Sequence, residues 1–299
     1  MQAPPVRNHR IEQVQVICYT NLMGALATFG QELYPQESIR AIECFSDLPV
    51  PTIRDARSRG TDDQLLSKIA ELLPHPSEST RLRVASKLIQ RFFKGSPAYP
   101  RLVKALKCDA ERRQLLYWRA ARTDAVIAAI AEEVFYPYFV LNALPKGYNE
   151  SSFRMANTAT LFSVDKVISR DFAVRYAREA WGFDSERTVT LALRIMKQAD
   201  ILDSISVKLG RRHVLGYFPQ PHSLRPEVFA YCMYEEFLGD PPSPDRIQNG
   251  DCSKLFFLNR LQVDSLLKTL DKRKLIEFEG MHVRFAHSDL DSLVMQLTK

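Results

Sequence analysis

Arg83, Lys87, Arg91 and Lys94 recur at intervals of three and four residues, with Arg81 just ahead of them. On an α-helix that spacing lines side chains up along one face. A row of guanidinium and ammonium groups has one plain use, the neutralising of phosphates. A second set repeats the pattern: Arg187, Thr190, Arg194 and Lys197, followed by Arg211 and Arg212. Lys268, Lys272 and Arg273 form a third. These residues are the candidate nucleic-acid contacts.

Placement of charge says more than its total. Lys+Arg 41 against Asp+Glu 35 gives the 299-residue chain only +6. Between His75 and Arg122, however, twelve bases face three acids (Glu78, Asp109, Glu111), so this span carries +9 and the remainder −3. Such a span repels itself unless solvent, acidic neighbours or a polyanion offsets the charge. A solvated basic face and a phosphate-binding surface both answer that need.

Other chemistry lacks its constellation. The six histidines show no metal-ligand spacing, and eleven scattered glycines build no phosphate-cradling loop. No nucleophile elbow, kinase signature or zinc-protease motif occurs. Glu132-Glu133 and Glu235-Glu236 are adjacent acids on expected helices. Neighbours there point about 100° apart, so neither pair converges for acid–base work, and both read as solvated faces. Tyr117-Trp118 and the aromatic run at 135–139 read as core rather than as base-stacking platforms. Five dispersed cysteines offer neither a disulfide framework nor a paired-cysteine zinc site. The expectation is a non-enzyme without cofactor or metal. No apolar stretch approaches the roughly 20 residues of a membrane helix, and no signal peptide is evident, so a cytoplasmic protein away from membranes is expected.

Elements must position the bases. Leu82, Ala85, Leu88, Ile89 and Phe92 form an apolar stripe on the helix that carries the first row, opened by a cap at Ser77 or Ser79. Residues 110–140, rich in Ala, Leu and Ile, read as one or two long helices. Residues 141–152 combine Pro, Gly, Asn and Ser, and mark a boundary. Helices are expected at 152–167, at 171–181, and from a cap at Asp184 or Ser185 to Asp200. Strands at 201–209 and 213–218 follow, with Gly210-Arg211-Arg212 at the turn. A second block repeats the order: helices at 226–238, 254–259 and 262–274, then strands at 275–278 and 281–285 joined by Glu279-Gly280.

Three helices and a hairpin make a winged helix, whose third helix enters the DNA major groove. The fold expected is therefore mainly α: a helical domain over 1–150, then winged-helix-like modules over 151–222 and 223–299. The first module is the better candidate for contact, because Glu279 replaces a base at the second wing tip. Winged helices also dock proteins, so fold alone leaves both uses open.

Three stretches carry a resemblance. Ser79-Thr80-Arg81-Leu82-Arg83 with Leu88-Ile89-Gln90-Arg91-Phe92 is similar to the start of the BrxA family of BREX phage-defence systems. So are Gln114-Leu115-Leu116-Tyr117-Trp118-Arg119-Ala120-Ala121-Arg122-Thr123-Asp124, with Val134-Phe135-Tyr136 after it, and Ser185-Glu186-Arg187-Thr188 leading to Leu193 and Ile201-Leu202. The likeness spans roughly 61–285 and consists of hydrophobic and basic patterns without a catalytic fingerprint. The first 60 residues and the second wing extend beyond the compact members of that family.

The resemblance implies a non-enzymatic component of a bacterial antiphage system, a helical DNA-binding protein whose N-terminal part is similar to the RNA-binding NusB fold. The leading expectation is sequence-tolerant binding of double-stranded DNA. The alternatives are an adaptor that docks other defence-system proteins and an RNA-binding protein.

Overall fold

The computed structural model describes residues 33–45, 62–93, 97–157, 166–209, 212–220 and 224–298. Its elements are mainly helical, with two small antiparallel sheets. Helices α1 (Pro35–Phe45) and α2 (Asp62–Leu72) pack on each other. Helix α3 (Glu78–Leu88) has Ser77, one of the two expected caps, at its N-cap position, but the Ser77 hydroxyl bonds that of Ser79 and makes no capping bond. It runs on into a π-helical turn at Ile89–Phe93. Helices α4 (Ala98–Ala105) and α5 (Asp109–Thr123) follow.

Asp124 breaks what sequence reads as one or two helices into two. Its carboxylate accepts from the Val126 N–H at 3.2 Å and so caps α6 (Ala125–Ala129). A second π-helical turn, Ile130–Phe135, leads into α7 (Tyr136–Phe139). The aromatic residues here are core. Tyr117, Trp118 and Phe135 are wholly buried, and Trp118 stacks on Phe256 with centroids 6.3 Å apart. The Tyr117 hydroxyl donates to the Leu255 carbonyl at 3.1 Å. One apolar core thus runs from the N-terminal helices into the C-terminal block.

In the first module, α8 (Glu150–Ala156) opens on an Asn149–Ser152 capping box. The helix expected at 152–167 therefore starts earlier and ends at Ala156. Strand β1 (Ile168–Ser169), α9 (Arg170–Trp181), α10 (Glu186–Gln198), β2 (Leu202–Leu209) and β3 (Arg212–Pro219) follow. Gly182 ends α9 with φ 64°, a left-handed turn that glycine takes without strain. The sheet order is β1-β3-β2, with Ile168 opposite Tyr217. The expected order is three helices and a hairpin; here α8, α9 and α10 precede the β2–β3 hairpin, and β1 stands between α8 and α9.

The second module holds α11 (Pro226–Phe237), α12 (Pro244–Gln248), α13 (Asp251–Lys254), α14 (Arg260–Lys272), β4 (Ile276–Glu279), β5 (His282–Phe285) and α15 (Leu290–Leu297). The short helix expected at 254–259 lies earlier, at α13. There the Glu236 carboxylate accepts from the N–H groups of Asp251 and Cys252, both at 2.8 Å. Glu279 pairs with His282, so Gly280-Met281 joins the strands rather than Glu279-Gly280. Among the described residues no helix is long and apolar enough to cross a membrane.

Candidate nucleic-acid interface

Helix α10 begins where the Ser185 hydroxyl accepts from the Thr188 N–H at 3.3 Å. It buries Val189, Ala192, Leu193, Ile195 and Met196, which turns Arg187, Thr190 and Arg194 outward. Helix α3 buries Val84, Ala85 and Leu88 and turns Thr80 and Arg83 outward. The two outward faces share one cleft of about 620 Å³. Arg170, at the start of α9, joins Arg83, Arg187 and Arg194 along its walls, and Glu186 is the acid among the lining residues. Four guanidinium groups from three helices thus converge.

The remaining lining is polar and aromatic. The Tyr34 hydroxyl and His75 Nε2 lie in hydrogen bond at 2.9 Å, with their rings edge to face. Arg81 is not among the lining residues; its Nη1 donates to the His75 carbonyl at 2.8 Å. Arg170 is held 3.2 Å from Asp171 and 3.5 Å from Glu186. The Tyr217 hydroxyl titrates above its ordinary range because it is partly buried, while the nearby charges of Arg170 and Arg194 pull it down. Half-buried Lys87 has its pKa lowered by desolvation first and then by Arg83 and Arg91. Lys87 is not among the residues that line the cleft.

Several expected contacts lie elsewhere. Arg91 is buried, 2% exposed, and its Nη2 sits 4.0 Å from the Asp124 carboxylate. At about 100° per residue Arg91 falls about 80° from Arg83 and only about 20° from buried Val84, seven residues before it. Helical phase thus already turns Arg91 toward the core, and it is buried within the π-helical turn at Ile89–Phe93. Arg91 is therefore a core residue, not a surface contact. Lys197 is exposed on α10, with its Nζ on the Ser204 hydroxyl at 2.5 Å, and lies outside the cleft lining. Arg212 opens β3 opposite Leu209. Lys94 and Arg211 fall outside the described residues. Lys268 and Lys272 are exposed on α14, and Arg273 is bonded to Glu227; none of the three lines the cleft.

Half of the bases in the basic span are answered by acids elsewhere in the chain. Arg101 pairs with Asp291 at 3.1 Å, Arg112 with Glu43 at 2.8 Å, Arg113 with Asp200 at 2.5 Å, and Arg119 with Glu235 at 2.7 Å. Arg122 meets Asp251, and Arg91 meets Asp124. Six of the twelve bases thus find acids supplied from outside the span.

The paired acids are not solvated faces either. Glu235 accepts from Trp118 Nε1 and from Arg119. Glu236 caps α13. Glu133 accepts from Trp181 Nε1 at 3.0 Å and from the Tyr176 hydroxyl at 3.2 Å. Glu132 lies 4.0 Å from Lys254.

Arg170 is the cleft residue that sequence reasoning missed. It belongs to neither basic row and reaches the cleft only because β1 sets the start of α9 beside β3. No family model matches the chain, and neither curated proteins nor solved structures yield a match.

Proposed function

We propose that this chain is a non-enzymatic, largely sequence-tolerant DNA-binding protein that holds its ligand by phosphates. The observation that carries this reading is the convergence of Arg83, Arg170, Arg187 and Arg194 on one cleft. Guanidinium groups recognise phosphate oxygens in forked geometry, and such contacts position a nucleic acid without reading its bases. Its place in a BREX-like antiphage system rests on the sequence likeness to the BrxA family.

The test is a mobility shift with two unrelated DNAs, each a duplex bearing a single-stranded overhang. Both should bind alike at about 50 mM salt and lose orders of magnitude in affinity by about 200 mM. Absence of binding at low salt, or binding indifferent to salt, would overturn the proposal.

A second use is favoured at the second module. Leu261 on α14 is 79% exposed, and Met281 and Phe278 at the wing are 80% and 45% exposed. Apolar groups stand where a DNA-reading module would carry donors. This face suits an adaptor that docks another protein of the same system.

A further inference from the structure

The outward face of α10 is not free to enter a duplex. In a major-groove reader the third helix, 10–12 Å across, fills a groove about 12 Å wide, and phosphate ridges pass on both flanks. Here α3 stands across from α10 with Thr80, Arg83 and Val84 on the opposite wall of the same cleft. At the C-terminal end of α10, Gln198 Oε1 accepts from the Leu33 N–H at 3.3 Å, which brings the N-terminal segment against that face. The basic surface is concave where a groove reader is convex.

The concavity also has a direction. A second depression of about 310 Å³ shares Arg170 and Glu186 with the cleft and continues over α9, where Arg175 and Arg178 line it beside the acids Asp171 and Glu179. The two adjoin at Arg170 and Glu186 in a path bearing arginines from α3, α10 and α9. Glu186 sits at the junction, 3.5 Å from Arg170. Arg178 is engaged by Asp184 at 2.6 Å. Tyr34 and His75 place ring surface at the cleft end of the path, where a base can stack.

We propose that this path takes one nucleic-acid strand rather than a duplex, its phosphates passing from Arg83, Arg187 and Arg194 over Arg170 to Arg175 on α9. The inference rests on the reading of the cleft as a phosphate site and adds the form of the ligand. Single-strand sites combine a cationic groove with ring platforms, and this path has both. Glu186 opposes the strand by holding Arg170, so its neutralisation strengthens binding.

Fluorescence anisotropy on the full chain tests this, with a labelled oligothymidylate of about 12 nucleotides and a blunt duplex of the same length. The strand should bind at least roughly tenfold tighter than the duplex. Arg175→Glu should weaken the strand several-fold. Glu186→Gln should tighten it, a gain that misfolding cannot imitate. A duplex bound as tightly as the strand, with Arg194→Glu weakening both, overturns the single-strand inference and leaves the phosphate site standing. Thymidine monophosphate competing as well as the oligomer overturns the extended path. No binding of either DNA overturns the cleft reading itself.

Discussion

Arg91 and Asp124 lie 4.0 Å apart with only 2% and 9% of their side chains exposed, joining the turn after α3 to the cap of α6. Burial lowers the pKa of the arginine and raises that of the aspartate, and each charge opposes the shift of the other. Removing one member of such a pair strands the other in the core, at a cost of about 3–5 kcal/mol. Arg91→Ala should therefore shift the urea midpoint strongly, while the protein that remains folded binds DNA as before. An unchanged midpoint would show that the pair does not hold these two segments together.

Arg83 and Arg187 face each other's helices across the cleft, whereas Lys268 and Lys272 belong to α14. Each phosphate contact contributes about 0.9 to the slope of log affinity against log salt on duplex DNA, and about 0.7 on a single strand. Arg187→Gln should reduce the slope by about that much on any sequence. The Lys268→Gln, Lys272→Gln double variant should leave it in place. Titrations at several salt concentrations decide the matter, and a slope that falls for the α14 variant alone would move the site to the second module.

The elements of the first module were legible because their periods differ. Val189, Leu193 and Met196 recur with helical spacing, while 201–209 carries the β-branched residues of a strand. The chemistry was half legible. Arg83 and the α10 arginines announce themselves by type and spacing, but their meeting depends on the tertiary packing of α3, α9 and α10, which no local pattern encodes. Burial of Arg91 was overlooked for another reason: its spacing from Lys87 drew it into the basic row, although its seven-residue spacing from Val84 sets it beside a side chain that the fold buries. The acids were misread because their partners are remote. Glu235 is an exposed-face residue by local pattern and a half-buried one only when Trp118 and Arg119 arrive beside it.

Gly250 occupies the N-cap of α13 directly beneath Glu236. A methyl group there would lie 2.6 Å from Glu236 Oε1 and 2.7 Å from the Phe237 ring, both well inside contact distance. The carboxylate cannot retreat without surrendering its bonds to Asp251 and Cys252. Gly250→Ala should destabilise the fold by about 1–3 kcal/mol, read from denaturant unfolding, with DNA affinity unaffected. A variant as stable as the parent would show that the Glu236 cap is dispensable.

Glu132 supplies the pH dependence. Its carboxyl is pushed from 4.5 up to about 7, first by burial and then by the charge of Asp251, with Lys254 opposing. Between those two pH values the folded chain keeps a proton on Glu132 that the unfolded chain has released. Stability must therefore fall as pH climbs through this window, by on the order of 1–2 kcal/mol once partial solvent screening is allowed for. Glu132→Gln removes the titration and keeps the shape. Urea unfolding at about pH 5 and about pH 8 should show the variant gaining on the parent at the higher value, with the other titrating groups cancelling in the comparison. Parallel losses for the two proteins would mean that Glu132 ionises in the folded state as freely as in water.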